Sequence, residues 1–415
     1  MTELSGLTLV PSTKAERIYK VTISDEVRKS MVAGSWIRRM FEEAVALKQR
    51  YGEENVFDLS LGNPVMEPPP DFKHRLRTLA ENPIPGMHRY MENAGYTETR
   101  AAVATQLSLE TGLKFTLDEI IMTCGAAGAL NVVLKTILNQ GDEVIIFAPY
   151  FAEYINYISN HGGVVKVLPT DEQFMLKLDV LEAAIGAKTK AVIINSPNNP
   201  SGAVYDENLI HRLGKLLLEK EALYGTQICL ISDEAYRRII YDGLEYPPVG
   251  PHYSQSIVVT SHSKDLALPG ERIGYIAVHP DCSQREELVD GLIYCNRTLG
   301  FVNAPAMMQH VVRHLQQVTV PVGEYQKKRD FLYDHLIGMG YSVIKPRGAF
   351  YMFPKSPLED DVTFVKKLQQ WNVLTVPGRG FGAPGYFRIS YCVDDRTLEG
   401  SLYGFQKAAQ EFNLC

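Results

Sequence analysis

The sequence predicts an α/β fold: a mostly parallel sheet covered by helices, followed by a smaller α+β domain. Three observations carry the prediction. At 415 residues the chain is too long for one simple core, and two domains are expected. From about residue 117 to 280, short apolar runs alternate with helical patterns, as in sheets whose strands are buried on both faces. From residue 324 onward, helices and hairpin-like strands follow one another instead, which is an α+β arrangement.

Residues 119–123, 143–147, 164–168, 191–194, 228–231 and 256–260 are short apolar runs, as buried strands require. Between the fourth and the fifth, Leu209, Ile210, Leu213, Leu216 and Leu217 recur at helical spacing and should pack onto the sheet. The later segment predicts a helix over 325–336, hairpin-like strands over 341–353, another helix, a strand over 386–391 and a final amphipathic helix. The expected boundaries are 1–57 for an N-terminal arm with part of the small domain, 58–305 for the large domain and 306–415 for the small one. The first sixty or so residues should join the small domain or reach across to a neighbouring copy.

A formal net charge of -6 and a pI near 6.0 leave no basic footprint for nucleic acid or an anionic membrane. Small molecules and copies of the same chain are the expected partners. The six cysteines are scattered, with no C-x-x-C pair and no metal-ligand spacing to the ten histidines, so no metal is expected and reduced thiols in a cytoplasm fit best. The apolar patch Leu7-Thr8-Leu9-Val10 is too short for the core of a signal peptide, and no stretch approaches the length of a membrane span.

Several loops that leave predicted strands carry polar chemistry, and ligands of open α/β sheets lie outside the carboxyl ends of the strands. Lys264 is the most informative. It follows the strand at 256–260 in the run Thr260-Ser261-His262-Ser263-Lys264, with Arg272 downstream. An imine-forming lysine beside an anion site points to pyridoxal phosphate chemistry; the plainer alternative is a solvated surface lysine. Gly125-Ala126-Ala127-Gly128 stands between the strand at 120–123 and a helix expected from about Ala129. Small residues there let backbone N–H groups approach an anion, although such turns are often mere geometry. Asn195-Ser196-Pro197-Asn198-Asn199-Pro200-Ser201-Gly202 is a rigid loop whose amides could reach a ligand. Asp233-Glu234-Ala235-Tyr236 follows the strand at 228–231, and a carboxylate at the end of a buried strand needs a partner, structural or functional.

The ordered set N-S-P-N-N-P-S-G, D-E-A-Y, S-H-S-K with a downstream arginine, and F-R-I-S-Y resembles the class I/II pyridoxal-phosphate-dependent aminotransferases, the fold-type I enzymes of the aspartate aminotransferase superfamily. The likeness runs from Gly62-Asn63-Pro64 to Arg388. It implies that Lys264 holds the cofactor covalently and moves the substrate proton, and that Asp233 pairs with the pyridinium nitrogen. Tyr236 and Asn199 match the partners of the phenolic oxygen, and Phe151 the aromatic ring stacked on the cofactor. Gly125, Ala126, Ala127, Ser261, Ser263 and Arg272 match the phosphate cup, with Tyr90 added from the opposite subunit. Arg388, with Asn199 and Gly62, matches the site of the substrate α-carboxylate. Two positions depart from the pattern. Ala127 stands where many relatives have a hydroxyl or lysine, and Arg379 where many have a small polar residue; an arginine there could reach substrate or a subunit interface.

The resemblance further implies pyridoxal 5'-phosphate as cofactor, a homodimer with shared sites, and a ping-pong amino-acid:2-oxo-acid aminotransferase, with aspartate or glutamate and 2-oxoglutarate as the family's default pair. A carbon–sulfur β-lyase is the alternative, because one scaffold hosts several reactions. A cofactor-binding regulator would need a DNA-binding segment, and the N-terminus offers none that can be recognised. Pocket shape decides the substrate side chain, and the sequence alone leaves it open.

Overall fold

The computed structural model describes residues 23–25, 27, 28 and 36–414, so much of the arm expected over 1–57 lies outside the described residues. In chain order the strands are β1 (Phe57–Asp58), β2 (Ile120–Thr123), β3 (Glu143–Ala148), β4 (Val164–Pro169), β5 (Thr189–Asn195), β6 (Cys229–Asp233), β7 (Ser256–Ser261), β8 (Gly274–Val278), β9 (Tyr351–Met352), β10 (Val373–Leu374), β11 (Val376–Pro377) and β12 (Phe387–Ser390). Seven of them form one sheet in the order β2-β8-β7-β6-β5-β3-β4. β8 runs antiparallel to both β2 and β7, and the other pairs are parallel. The expected mostly parallel sheet is therefore present.

Alternate residues of its strands feed different cores, as a period of two demands. Val144, Ile146, Ile193 and Ile231 pack with the helix Gly125–Ile137 through Leu130, Val133 and Leu134. Ile145, Val192, Ile194 and Leu230 pack with the helix Glu207–Tyr224 through Leu209, Leu213 and Leu217. That helix begins where the Asp206 side chain accepts the N–H of Leu209 (2.8 Å) and ends at Gly225, whose φ of 63° is cheap only for glycine. All five apolar residues read at helical spacing are buried there.

Three expectations need correction. The helix after β2 starts at Gly125 and not near Ala129. Alanines favour helix, and a Cβ at Gly128 would meet only ordinary neighbours at 3.4 Å and beyond. Strand β8 was not anticipated; it enters between β2 and β7 by long-range antiparallel pairing. Over 341–353 no hairpin forms: Tyr351–Met352 pairs with β12, and Gly348 makes an isolated antiparallel bridge to Ile240. Pro346 and Pro354 cannot donate to a ladder, and Tyr341 packs against Phe364, Phe387 and Phe405 instead.

The C-terminal part builds an aromatic core around the sheet β11-β12-β9. Phe350, Phe353, Phe381, Phe387 and Tyr391 are buried there with Tyr325, Leu332 and Leu336 of the helix Val322–Gly338 and Phe405 of the helix Asp395–Glu411. Met40 and Leu59 belong to the same core, and β1 pairs with β10. Gly62 is thereby brought to the carboxyl end of the large sheet, where Lys264 waits.

Candidate active site

β5, β6 and β7 end side by side: Asn195 is in register with Asp233, and Asp233 with Val259, two residues before Ser261. A cavity of about 290 Å³ opens at these ends. Gly62, Ala126, Ala127, Phe151, Asn199, Asp233, Tyr236, Ser261, Ser263, Lys264, Arg272 and Arg388 all line it. Gly125 stands just behind Arg272: its φ is +73°, and a Cβ there would come within 3.0 Å of Arg272 Nη2. Tyr90 is not brought into the cavity and is 92% exposed.

Lys264 sits on the single-turn helix His262–Asp265 that follows β7 at once. Its Nζ donates to the Gly62 carbonyl (2.7 Å) and lies 5.3 Å from the centre of the Phe350 ring. Burial, aided by repulsion from Arg388 and Arg272, lowers its pKa to about 8. No carboxylate forms an ion pair with it among the described residues, so its neutral fraction near physiological pH is far larger than an ordinary lysine's.

Asp233 is 6% exposed. Burial raises its pKa to about 6, against the pull of two hydrogen bonds: Tyr154 Oη donates to Oδ2 (2.5 Å) and the Ala235 N–H reaches Oδ1 (3.4 Å). An anion so held, with no cation paired to it among the described residues, suits a ligand that brings a positive charge. Tyr236 Oη shares a hydrogen bond with Tyr351 Oη (2.9 Å).

Arg388 presents the opposite problem. It is 2% exposed, yet among the described residues its donors reach only neutral oxygens, Asn199 Oδ1 (3.1 Å) and the Ser60 carbonyl (2.6 Å). Nε has no partner. Its guanidinium lies 4.6 Å from the Tyr351 ring centre and 4.8 Å from that of Phe381, and burial lowers its pKa. A buried planar cation without a counter-ion is built to receive a carboxylate.

At the other end of the cavity, the helix Gly125–Ile137 has no side-chain cap on its first N–H groups, and Ser261, Ser263 and Arg272 stand beside it. Free N–H groups, hydroxyls and a guanidinium together suit a phosphate. The donor set thus fits pyridoxal phosphate at each of its parts: an amine for the aldehyde, a carboxylate for the ring nitrogen, a phenol for the ring oxygen and an anion cup for the phosphate.

Sequence reasoning missed Tyr351, Tyr154 and Phe381. Tyr154 lies 79 positions from Asp233 and Tyr351 lies 115 from Tyr236, and each stands in a stretch that reads as ordinary core. Gly62 is more informative in this light, since a Cβ there would collide with Tyr351 Oη at 1.8 Å. Arg379 does not line the cavity. It donates from Nε (2.8 Å) and its backbone N–H (2.7 Å) to Asp361 and also pairs with Asp360.

The family model "Aminotransferase class I and II" matches residues 54–402. A probable aspartate aminotransferase of Methanocaldococcus jannaschii is 33% identical over 83% of this chain and 91% of its own length. A probable aspartate/prephenate aminotransferase of Thermus aquaticus is 33% identical over 88% of this chain and 95% of its own. Among solved structures, an aminotransferase from Eubacterium rectale superposes with a TM-score of 0.91 at 38% identity, covering 95% of this chain and all of that one.

Proposed function

The chain belongs to the class I and II aminotransferase family, and on that premise we propose that it binds pyridoxal 5'-phosphate in this cavity and moves the amino group of an amino acid to a 2-oxo acid by a ping-pong mechanism. The observation that carries the reading is Lys264, an amine of depressed pKa that shares one cavity with the unpaired guanidinium of Arg388. Bound there, the cofactor supplies an electron sink for charge developing at the substrate Cα. Lys264 Nζ would hold the cofactor and, as the nearby amine, would take and return the substrate Cα proton. Asp233 keeps the proton on the ring nitrogen, and Tyr154 helps to keep Asp233 ionised. Tyr236 and Asn199 bind the phenolic oxygen, Phe151 stacks on the ring, and Gly125, Ala126, Ala127, Ser261, Ser263 and Arg272 hold the phosphate. Arg388, with Asn199 and Gly62, orients the substrate through its α-carboxylate.

The names of the two relatives favour aspartate as donor, and 2-oxoglutarate, the family's default partner, is the proposed acceptor. The test is to follow 2-oxo acid formation with and without an acceptor oxo acid. Sustained turnover is expected only with the acceptor. Acceptor-independent release of 2-oxo acid and ammonia would instead identify an eliminating enzyme.

Arg388→Lys is expected to raise KM and lower kcat/KM for amino and oxo substrates alike, by roughly 10- to 100-fold, because an ammonium cannot reproduce a two-point grip on a carboxylate. Wild-type protein reacting equally well with amines that lack the carboxylate would remove this role.

We also assign Tyr90 to the phosphate site of a second copy. Its support is the family match together with an exposure of 92% for a large aromatic side chain. Mixing inactive Lys264→Ala chains with inactive Tyr90→Ala chains should restore activity, since one of two sites then receives both residues. No recovery despite demonstrated subunit exchange excludes a shared site. A reducing compartment suits the chain, whose five described cysteines are free; among the described residues no helix is long and apolar enough to cross a membrane.

A further inference from the structure

The residues that follow β6 are divided between two cavities. Asp233, Ala235 and Tyr236 line the one just described, while Glu234, Arg237 and Arg238 line a second, of about 320 Å³. Nothing in the proposed chemistry uses the second set. Arg237 is 11% exposed, and its Nη1 meets Glu110 Oε2 at 2.8 Å. Its Nη2 donates to Tyr275 Oη (2.9 Å), and Glu234 Oε2 lies 3.9 Å from Nη1. The other oxygen of Glu110 accepts from Arg238 (2.7 Å) and Gln106 (2.8 Å). Glu110 belongs to the helix Thr97–Thr111 and Tyr275 to β8, so Arg237 is tied to two elements outside its own turn.

We propose that Arg237 is a positioning residue, its bridge to Glu110 and Tyr275 holding the turn after β6 so that Asp233 and Tyr236 face the cofactor at working distance. The turn itself is not helical. Its backbone is tied to β7 at Glu234, whose N–H reaches the Val259 carbonyl (2.9 Å) and whose carbonyl accepts from the Thr260 hydroxyl (3.0 Å), and to Ala349 at the Ile239 carbonyl (2.9 Å). Between these ends it has only the Arg237 N–H to the Glu234 carbonyl (3.2 Å) and the Ile239 N–H to the Tyr236 carbonyl (2.8 Å). Rotation that withdrew Tyr236 from the cofactor cavity would drag the neighbouring guanidinium out of its pairings. Arg237 is largely buried although Glu110 is 29% exposed, so breaking these pairings leaves a mostly desolvated guanidinium short of partners, which is opposed. The side chains that alternate along this turn are thus an anchor on one side and a working face on the other. Such geometry matters because a displacement of about 1 Å at a reacting group can cost on the order of 10²-fold in rate.

The inference rests on the proposed function, and its test separates the two. Arg237→Met, Arg237→Lys and Tyr275→Phe are compared with wild type. The measurements are kcat and KM, the dissociation constant of pyridoxal phosphate from the apoprotein, the pH midpoint of the bound cofactor's absorbance, and urea unfolding. For Arg237→Met, kcat should fall about 10- to 100-fold with KM nearly unchanged, cofactor affinity should weaken, and the absorbance midpoint should move. Arg237→Lys should recover part of each. Should Arg237→Met fail to fold, Tyr275→Phe decides: it deletes one hydroxyl and should show the same kcat loss and midpoint shift on a smaller scale. Variants that unfold at lower urea yet keep wild-type kcat, affinity and absorbance midpoint make Arg237 a purely structural residue and overturn the inference. Lys264→Ala, run alongside, reports on the parent reading: turnover there sinks the proposed function, whereas its loss beside unaffected Arg237 and Tyr275 variants sinks only the positioning role.

Discussion

Lys264→Ala is expected to abolish turnover, by more than about 10⁴-fold, because one substitution removes both the covalent anchor and the proton carrier. The structure adds a pH signature. An ordinary lysine is about one part in several thousand neutral at pH 7, whereas the pKa of about 8 at Lys264 leaves roughly a tenth neutral, an advantage of about 300-fold. Only the neutral amine attacks an aldehyde. Capture of pyridoxal phosphate by the wild-type apoprotein should therefore speed up with rising pH and level off above about 8, and Lys264→Ala should show no such capture. Borohydride reduction followed by peptide mapping should place the label on Lys264. Label on another lysine, or a rate still climbing toward pH 10.5, refutes the assignment.

Asp233 separates chemistry from stability. Asp233→Asn is expected to lower kcat by at least about 10²-fold, the scale set by losing one preorganised electrostatic partner at the reacting system. Its effect on the apoprotein should be the reverse. The folded pKa of about 6 lies above the unfolded value of 3.8, so the stability linked to this group is complete below pH 3.8 and is lost as pH rises through 6. Above that the buried anion costs about 3 kcal/mol. Asparagine carries no charge and still accepts from Tyr154, so the Asp233→Asn apoprotein should be the more stable of the two at pH 8, with the advantage gone below pH 4. Urea unfolding of both apoproteins across that range checks the sign. Wild-type turnover in Asp233→Asn would falsify the catalytic assignment, and equal stability at every pH would show that the carboxylate is not desolvated as described.

Sequence by itself determined the strands at the centre of the sheet, the buried face of the helix Glu207–Tyr224, and most of the polar residues that line the candidate cavity, though not Tyr351. All of these are written locally. A buried strand is a short apolar run and a covering helix a repeat of 3.6, while Lys264, Asp233 and Asn199 each sit within a few residues of the strand end that presents them. The same locality explains the failures. Whether residues 341–353 close a hairpin depends on what else their aromatic side chains can reach, and Tyr341 found Phe364, Phe387 and Phe405. β8 could not be placed until β2 and β7 were brought to either side of it. Arg379, readable as a substrate contact, proved to be held by Asp360 and Asp361. Tertiary structure alone decided the electrostatics: that Arg388 has no counter-ion among the described residues, that Asp233 leans on a tyrosine 79 positions away, and that Arg237 is bolted to Glu110 and Tyr275. Burial and partnership belong to packing between distant segments, and the free energy of a charge depends on what surrounds it in space, which no window along the chain contains.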